Sequence, residues 1–156
     1  MADKCAIVNH VKNINNDYYN TLSTPTSCTN KPKTIMAYPD SCATGHFVPQ
    51  TFPGTNMKHK QIKVQCANNS TMASTATIAL NIPELPPPLR EATAFREMTK
   101  GLLSVPVLCD GDMEVTFRKK DMDVKDKNNK VIIRGKRDTE SPLWIVPITR
   151  KEKNLF

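Results

Sequence analysis

No part of this chain carries the sustained 3.6-residue apolar period of a long amphipathic helix. Its apolar residues fall in short runs cut by proline and by Asn- and Ser-bearing turns, which confines the chain to a fold built from strands. Thr34–Tyr38 is the first candidate strand, with Pro39 expected to stop it. Ile62–Cys66 alternates Lys63 and Gln65 outward with Ile62, Val64 and Cys66 inward. Ala67–Ser70 is a turn, and Thr71–Ile82 reads as the returning strand of a hairpin. Pro86-Pro87-Pro88 is expected to be an irregular loop. Leu89–Phe95 and the continuous apolar run Leu102–Leu108 read as further strands, the latter buried on both faces. Met113–Arg118, Met122–Lys125, Val131–Arg134 and Leu143–Ile148 form a second β tract, with a turn at Asn128-Asn129. Arg90–Lys100 is the best helical candidate, and its periodicity is poor. The fold class is therefore all-β, with one short helix at most.

Length and composition narrow the rest. A chain of 156 residues fits one compact domain. Hydrophobic residues are 38%, and no apolar run approaches the roughly 18 residues of a membrane span. Met1–Cys5 opens no apolar leader, so the reading is neither secreted nor membrane-spanning. Residues 1–33 are rich in Asn, Thr and Ser and read as a polar lead-in, with Ile7-Val8 and Tyr18-Tyr19 available to pair at an edge. Residues 34–112 form the expected core, and 113–156 a basic, β-rich C-terminal part of the domain or a linker. The formal charge is +7. Twelve basic and seven acidic residues put +5 of it in 113–156. That excess fits weak, non-specific attraction to nucleic acid, although no aromatics are interleaved with it for base stacking. The cysteines (Cys5, Cys28, Cys42, Cys66 and Cys109) are odd in number and lack CxxC spacing, which points to free thiols. The histidines, His10, His46 and His59, form no ligand pair. Neither a metal nor a cofactor is implied.

One constellation carries chemistry. Asp40-Ser41-Cys42-Ala43-Thr44 places a carboxylate, a hydroxyl and small residues directly after an apolar strand, the way aspartic peptidases present a catalytic Asp. Two carboxylates roughly 3 Å apart share one proton, so that one serves as acid and the other as base. Taken alone, Asp-Ser after a strand is more often a turn or a cap. The Ile62–Ile82 hairpin and the run Gly101–Val105 are likewise ordinary by themselves. The order of the blocks is more telling. "DSCATGHF" at 40–47 resembles the "DSGATSHF"-type motif of copia-type (Pseudoviridae-like) retrotransposon proteases. "VQCANNSTMASTATIAL" at 64–80, "GLLSVPVLCDGDMEVTF" at 101–117 and "KNNKVIIRGKRDTESPLWIVPI" at 127–148 are similar to successive segments of the same polyproteins. The resemblance covers about residues 34–148.

The resemblance implies a retropepsin-like acid-protease fold acting as a two-fold homodimer. It implies an aspartic endopeptidase that cuts its own Gag-Pol-like polyprotein, in the cytoplasm within virus-like particles. Asp40 would be the catalytic carboxylate, and Ser41 would make a cross-dimer hydroxyl contact. Ala43 would lie under the substrate backbone, with Cys42 and Thr44 completing the active-site loop. Asn68, Asn69 and Ser70 would form the flap tip over the substrate. Leu102, Leu103 and Val105 would back the loop. Only one Asp-Ser-small sequence exists, so two chains must supply the pair. Three residues depart from the pattern. Cys42 stands where Gly follows Asp-Ser, which predicts a backbone cost of about 1 kcal/mol. Pro106 replaces a Gly or small polar residue, and Pro39 precedes Asp40. A thiol beside two carboxylates is a poor nucleophile, so His46 near Cys42 is read as coincidence, not as a thiol dyad. The alternative readings are a catalytically silent protease-like domain serving assembly or nucleic-acid binding, and an inert host-domesticated β-domain.

Overall fold

The structure, a computed structural model, describes residues 34–58 and 61–149. The lead-in of residues 1–33, with its two possible edge pairs, lies outside the described residues, as do residues 150–156. The chain is all-β. Its strands are β1 (Thr34–Asp40), β2 (His46–Pro49), β3 (Gly54–Lys58), β4 (Lys63–Gln65), β5 (Thr71–Leu80), β6 (Glu91–Phe95), β7 (Gly101–Ser104), β8 (Glu114–Phe117), β9 (Asp121–Lys125), β10 (Val131–Arg137) and β11 (Trp144–Thr149). A 3-10 turn covers Pro87–Arg90, and one short helix, α1, covers Val105–Asp110. No described helix is long and apolar enough to cross a membrane.

The strands join in the order β3-β5-β6-β2-β7-β1-β11-β10-β9-β8, with β4 paired to β5. The centre of that order is interlocked. β1 and β2 are consecutive in sequence, yet they are not neighbours, because β7 lies between them. It runs parallel to β1, with Ala37 opposite Gly101 and Asp40 opposite Ser104, and antiparallel to β2, with Phe47 opposite Leu102. On the far side β2 pairs in parallel with β6. A strand enclosed in this way must be apolar on both faces, and all of Gly101–Ser104 is buried. Gly101 is required there, since a Cβ would come within 2.7 Å of the Phe52 ring. From β8 to β11 the chain is a plain antiparallel meander, tied on through β11 to β1 from Thr34–Thr149 to Ala37–Val146. One core cluster runs through both parts, from Ala37, Val48, Ile78 and Leu103 to Met122, Val124, Ile133 and Ile148. A second gathers Tyr38, Phe95, Met98, Leu102 and Ile145, with Val64 and Met72 of the hairpin packed against it.

Several expectations are corrected. The apolar run Leu102–Leu108 is not one strand. It is β7 followed by α1, with Ser104 as N-cap, Pro106 in the first turn and Gly111 at the C-cap. Proline lacks the donor that a first helical turn does not use, so Pro106 starts the helix instead of interrupting a strand. The one helix therefore falls here and not at Arg90–Lys100. There the alternation of Ala92 and Ala94 with exposed Glu91 and half-buried Thr93 makes β6. Pro39 does not end β1, which continues to Asp40. Because β11 pairs only with residues 34–37, Pro39 has an open side where a missing donor is tolerated. The triple proline is not irregular throughout, since its last two members help form the 3-10 turn. β2 and β3 are short and carry no clean alternation, so the residue pattern does not announce them.

Candidate active site

The site follows from the crossover. β1 ends at Asp40 on one side of β7 and β2 begins at His46 on the other, so residues 41–45 must pass over the end of β7. Asp40 is 2% exposed. Its Oδ1 accepts the Cys42 backbone N–H at 2.8 Å, an Asx turn that aims the carboxylate along the loop. Ser41, Cys42 and Thr44 are exposed on this loop, whereas Ala43 is buried.

Ser104, fully buried, ties the loop down from below. Its Oγ donates to the Ala43 carbonyl at 2.6 Å and accepts the Val107 N–H at 3.2 Å, the cap of α1. Its own backbone N–H donates to His46 Nδ1 at 2.9 Å. A backbone N–H can only donate, so Nδ1 carries no proton. The ring hydrogen is on Nε2, which donates to the Leu89 carbonyl at 3.1 Å. Burial holds the His46 pKa below its usual 6.5, partly opposed by the Leu89 bond. The imidazole is therefore neutral and fixed in one tautomer.

The sequence-derived residues distribute as follows. Asp40 sits opposite Ser104 in the parallel register, with Leu103 opposite Pro39. Leu102 and Leu103 are buried behind the loop. Val105 is half-buried and opens α1 instead of continuing the strand. Asn68, Asn69 and Ser70 cap the β4–β5 hairpin. Their bonds close the tip on itself: Cys66 N–H to Ser70 O, Asn69 N–H to Cys66 O, and Ser70 Oγ to Asn68 Oδ1. The hairpin's inward Val64 and Met72 reach the cluster holding Tyr38 and Leu102. On that flank Lys100 Nζ donates to Tyr38 Oη at 3.0 Å and lies over its ring.

One expectation about Cys42 changes, its backbone cost. Among the described residues, the non-glycine residues with positive φ are Asn69, Asp112 and Asn129, so Cys42 has no strained backbone to relieve. Its cost relative to glycine is therefore not one of backbone angle. The separation of Cys42 from His46 is structural. The thiol is exposed, while the imidazole is buried with both nitrogens engaged. Sequence reasoning missed Ser104 and His46 as site residues. The signal for Ser104 was present in Ser104-Val-Pro106 with Gly111 beyond, a helix start and stop. For His46 the signal was its place in the DSCATGHF block, and its role was hidden because its partners lie 43 and 58 positions away.

Among the described residues, no group of three or more His, Cys, Asp or Glu could hold a metal ion. A cleft of about 320 Å³ lies away from Asp40, between Asn81–Glu84, Ile132–Arg134 and Val146–Thr149. Comparison of the chain with protein-family models, with curated proteins and with solved structures gives no match.

Proposed function

We propose that this chain is an aspartic endopeptidase of the copia-type retrotransposon kind, working as a two-fold homodimer on its own Gag-Pol-like polyprotein in cytoplasmic virus-like particles. One observation carries the reading. Asp40 is a buried carboxylate at a strand end, on a short loop that crosses an inserted apolar strand and is anchored to it by Ser104. That is a rigid mount for a carboxylate.

In the dimer two Asp40 side chains face one water. One carboxylate takes a proton from the water as its oxygen adds to the scissile carbonyl carbon. The other, protonated, gives its proton to the carbonyl oxygen. The resulting tetrahedral diol collapses with proton transfer to the leaving amine, which restores the shared proton. The β4–β5 hairpin, braced through Val64 and Met72, suits a cover for an extended peptide. The basic excess of residues 113–156 adds weak, salt-sensitive attraction to nucleic acid.

Asp40→Asn tests the reading. The amide oxygen still accepts the Cys42 N–H, so the fold should survive while self-cleavage falls by about a thousandfold or more. Specific activity of the native chain should fall on dilution as the dimer separates. Wild-type cleavage by Asp40→Asn, or loss of cleavage in EDTA, would overturn the proposal.

A further inference from the structure

We propose that His46 is the positioning residue of the Asp40 loop, a side chain that joins the end of β7 to the 3-10 turn and thereby holds Ser104 where it anchors Ala43. Four backbone segments meet at the His46–Ser104 pair: the crossing loop through Ala43 O, β7 through Ser104 N, α1 through Val107 N, and the 3-10 turn through Leu89 O. These bonds lie outside the strand ladders, so the ladders alone do not fix the loop. Both side chains are buried, at 1% and 0% exposure, so water does not substitute for a missing partner.

The imidazole suits this task because its two nitrogens point in different directions with opposite roles. Nδ1 must accept and Nε2 must donate, which only the neutral Nε2–H form does. Burial keeps that form, as the lowered pKa reflects. Since Asp40 lies opposite Ser104 in register, a shift of Ser104 moves the carboxylate from one side and the loop from the other. Aliphatic filling of the same space would keep the packing and lose the anchor. The kinetic part of this proposal rests on the aspartic-endopeptidase reading. The structural part does not.

The test uses two amides of opposite reach in the full chain. In His46→Asn the side-chain oxygen takes the place of Nδ1 and still accepts from Ser104, losing only the Leu89 bond. In His46→Gln the amide nitrogen takes the place of Nε2 and still donates to Leu89, losing the Ser104 bond. Amide hydrogen exchange at Cys42 should quicken at least about tenfold in His46→Gln and stay near wild type in His46→Asn, with β9 and β10 unchanged in both. The kcat should fall about a hundredfold in His46→Gln with little change in KM, and His46→Asn should recover most of it. Nitrogen chemical shifts of the wild-type ring should show the Nε2–H tautomer. Should His46→Gln fail to fold, Ser104→Ala replaces it, and Cys42 exchange should quicken there as well. Equal exchange and equal kcat in the Asn and Gln variants, a uniform rise across all strands, no quickening in Ser104→Ala, or an Nδ1–H or charged ring would each overturn the proposal. If instead no cleavage depends on Asp40, the enzymatic reading fails and the exchange data still decide the role of His46.

Discussion

The interlocked half of the sheet and the C-terminal meander share one core but are held together differently. In the meander, β8 to β11 pair with sequence neighbours, and the inward residues Met122, Val124, Ile133 and Val146 are apolar. In the interlocked half, β7 pairs with strands more than fifty positions away, and the loop that crosses it belongs to no ladder. The buried polar residues follow that division. Among the described residues Asp40, His46 and Ser104 lie at the crossover, and Ser74 lies in β5, where its Oγ accepts the Ile62 N–H. Local antiparallel pairing satisfies its own backbone and needs only apolar packing. A crossover leaves backbone groups that side chains must satisfy, and those fixed polar groups supply a place for chemistry.

The largest effects should separate the halves by function and not by stability. Leu103 is 1% exposed in β7 and Met122 is 2% exposed in β9. Leu103→Ala and Met122→Ala should each destabilise by about 3 kcal/mol, since each leaves a cavity in the same core. Leu103 lies opposite Pro39, beside Asp40, so its loss should also cut kcat at temperatures where the variant is still folded. Met122→Ala should leave kcat unchanged there. Urea titrations with peptide turnover on the same samples measure both. Equal kcat losses in the two variants would remove the distinction between the regions.

Next in size is a pH effect confined to the interlocked half. Burial depresses the His46 pKa below 6.5 in the folded chain, whereas the unfolded chain titrates near that ordinary value. The unfolded state thus binds more protons in the window between the two. The stability that His46 contributes is complete above about pH 6.5 and is lost as pH falls toward the depressed folded value. The wild-type Tm should therefore drop between pH 7.5 and about 5 more than that of His46→Asn, which has nothing to titrate there. Parallel slopes for the two proteins would mean that the imidazole is not held neutral.

The same contrast explains what the sequence disclosed. The meander and the β4–β5 hairpin were legible because their partners are adjacent and their alternation is regular, as in Met122 and Val124 against Asp121 and Asp123. Asp40 was legible as a carboxylate at the end of an apolar strand. The boundary inside Gly101–Asp110 was not, because a run buried as a strand and a run opening a helix are equally apolar, and only Ser104 and Pro106 mark the change. The His46 bond to Ser104 spans 58 positions and leaves no periodicity, so only the fold reveals it.

A smaller effect belongs to the end of the meander. Phe117, 41% exposed, meets Trp144 edge-on at 5.0 Å, and the Arg137 guanidinium lies 4.2 Å from the Trp144 ring centre. Trp144 Nε1 donates to Arg118 O, which fixes the indole independently of Phe117. Phe117→Ala should therefore cost only about 1 kcal/mol, the value of an aromatic pair, and leave the indole in place. A large change in tryptophan emission would show that Phe117, and not the Arg118 carbonyl, holds the ring.

The smallest effects compare two turns of the same chemistry. Asn68-Asn69 closes the β4–β5 hairpin and Asn128-Asn129 closes β9–β10. In each, the second Asn is left-handed, at φ 60° and 64°. Asn69 N–H donates to Cys66 O and Asn129 N–H to Asp126 O, so the backbone requirement is the same in both turns. Glycine relieves the left-handed cost but frees the unfolded chain, and the two nearly cancel. Asn69→Gly and Asn129→Gly should each change stability by less than about 0.5 kcal/mol, whereas alanine at either position should cost about 1 kcal/mol. Their kinetics should differ. Under the proposed function, with the hairpin as cover for a bound peptide, a looser tip at Asn69 should raise KM by about twofold to fivefold with kcat nearly constant. Asn129→Gly lies in the meander and should leave KM as it was. Matched stabilities with a KM change only at Asn69 would assign substrate contact to the hairpin. A change of KM at neither turn would confine the chemistry to the crossover loop.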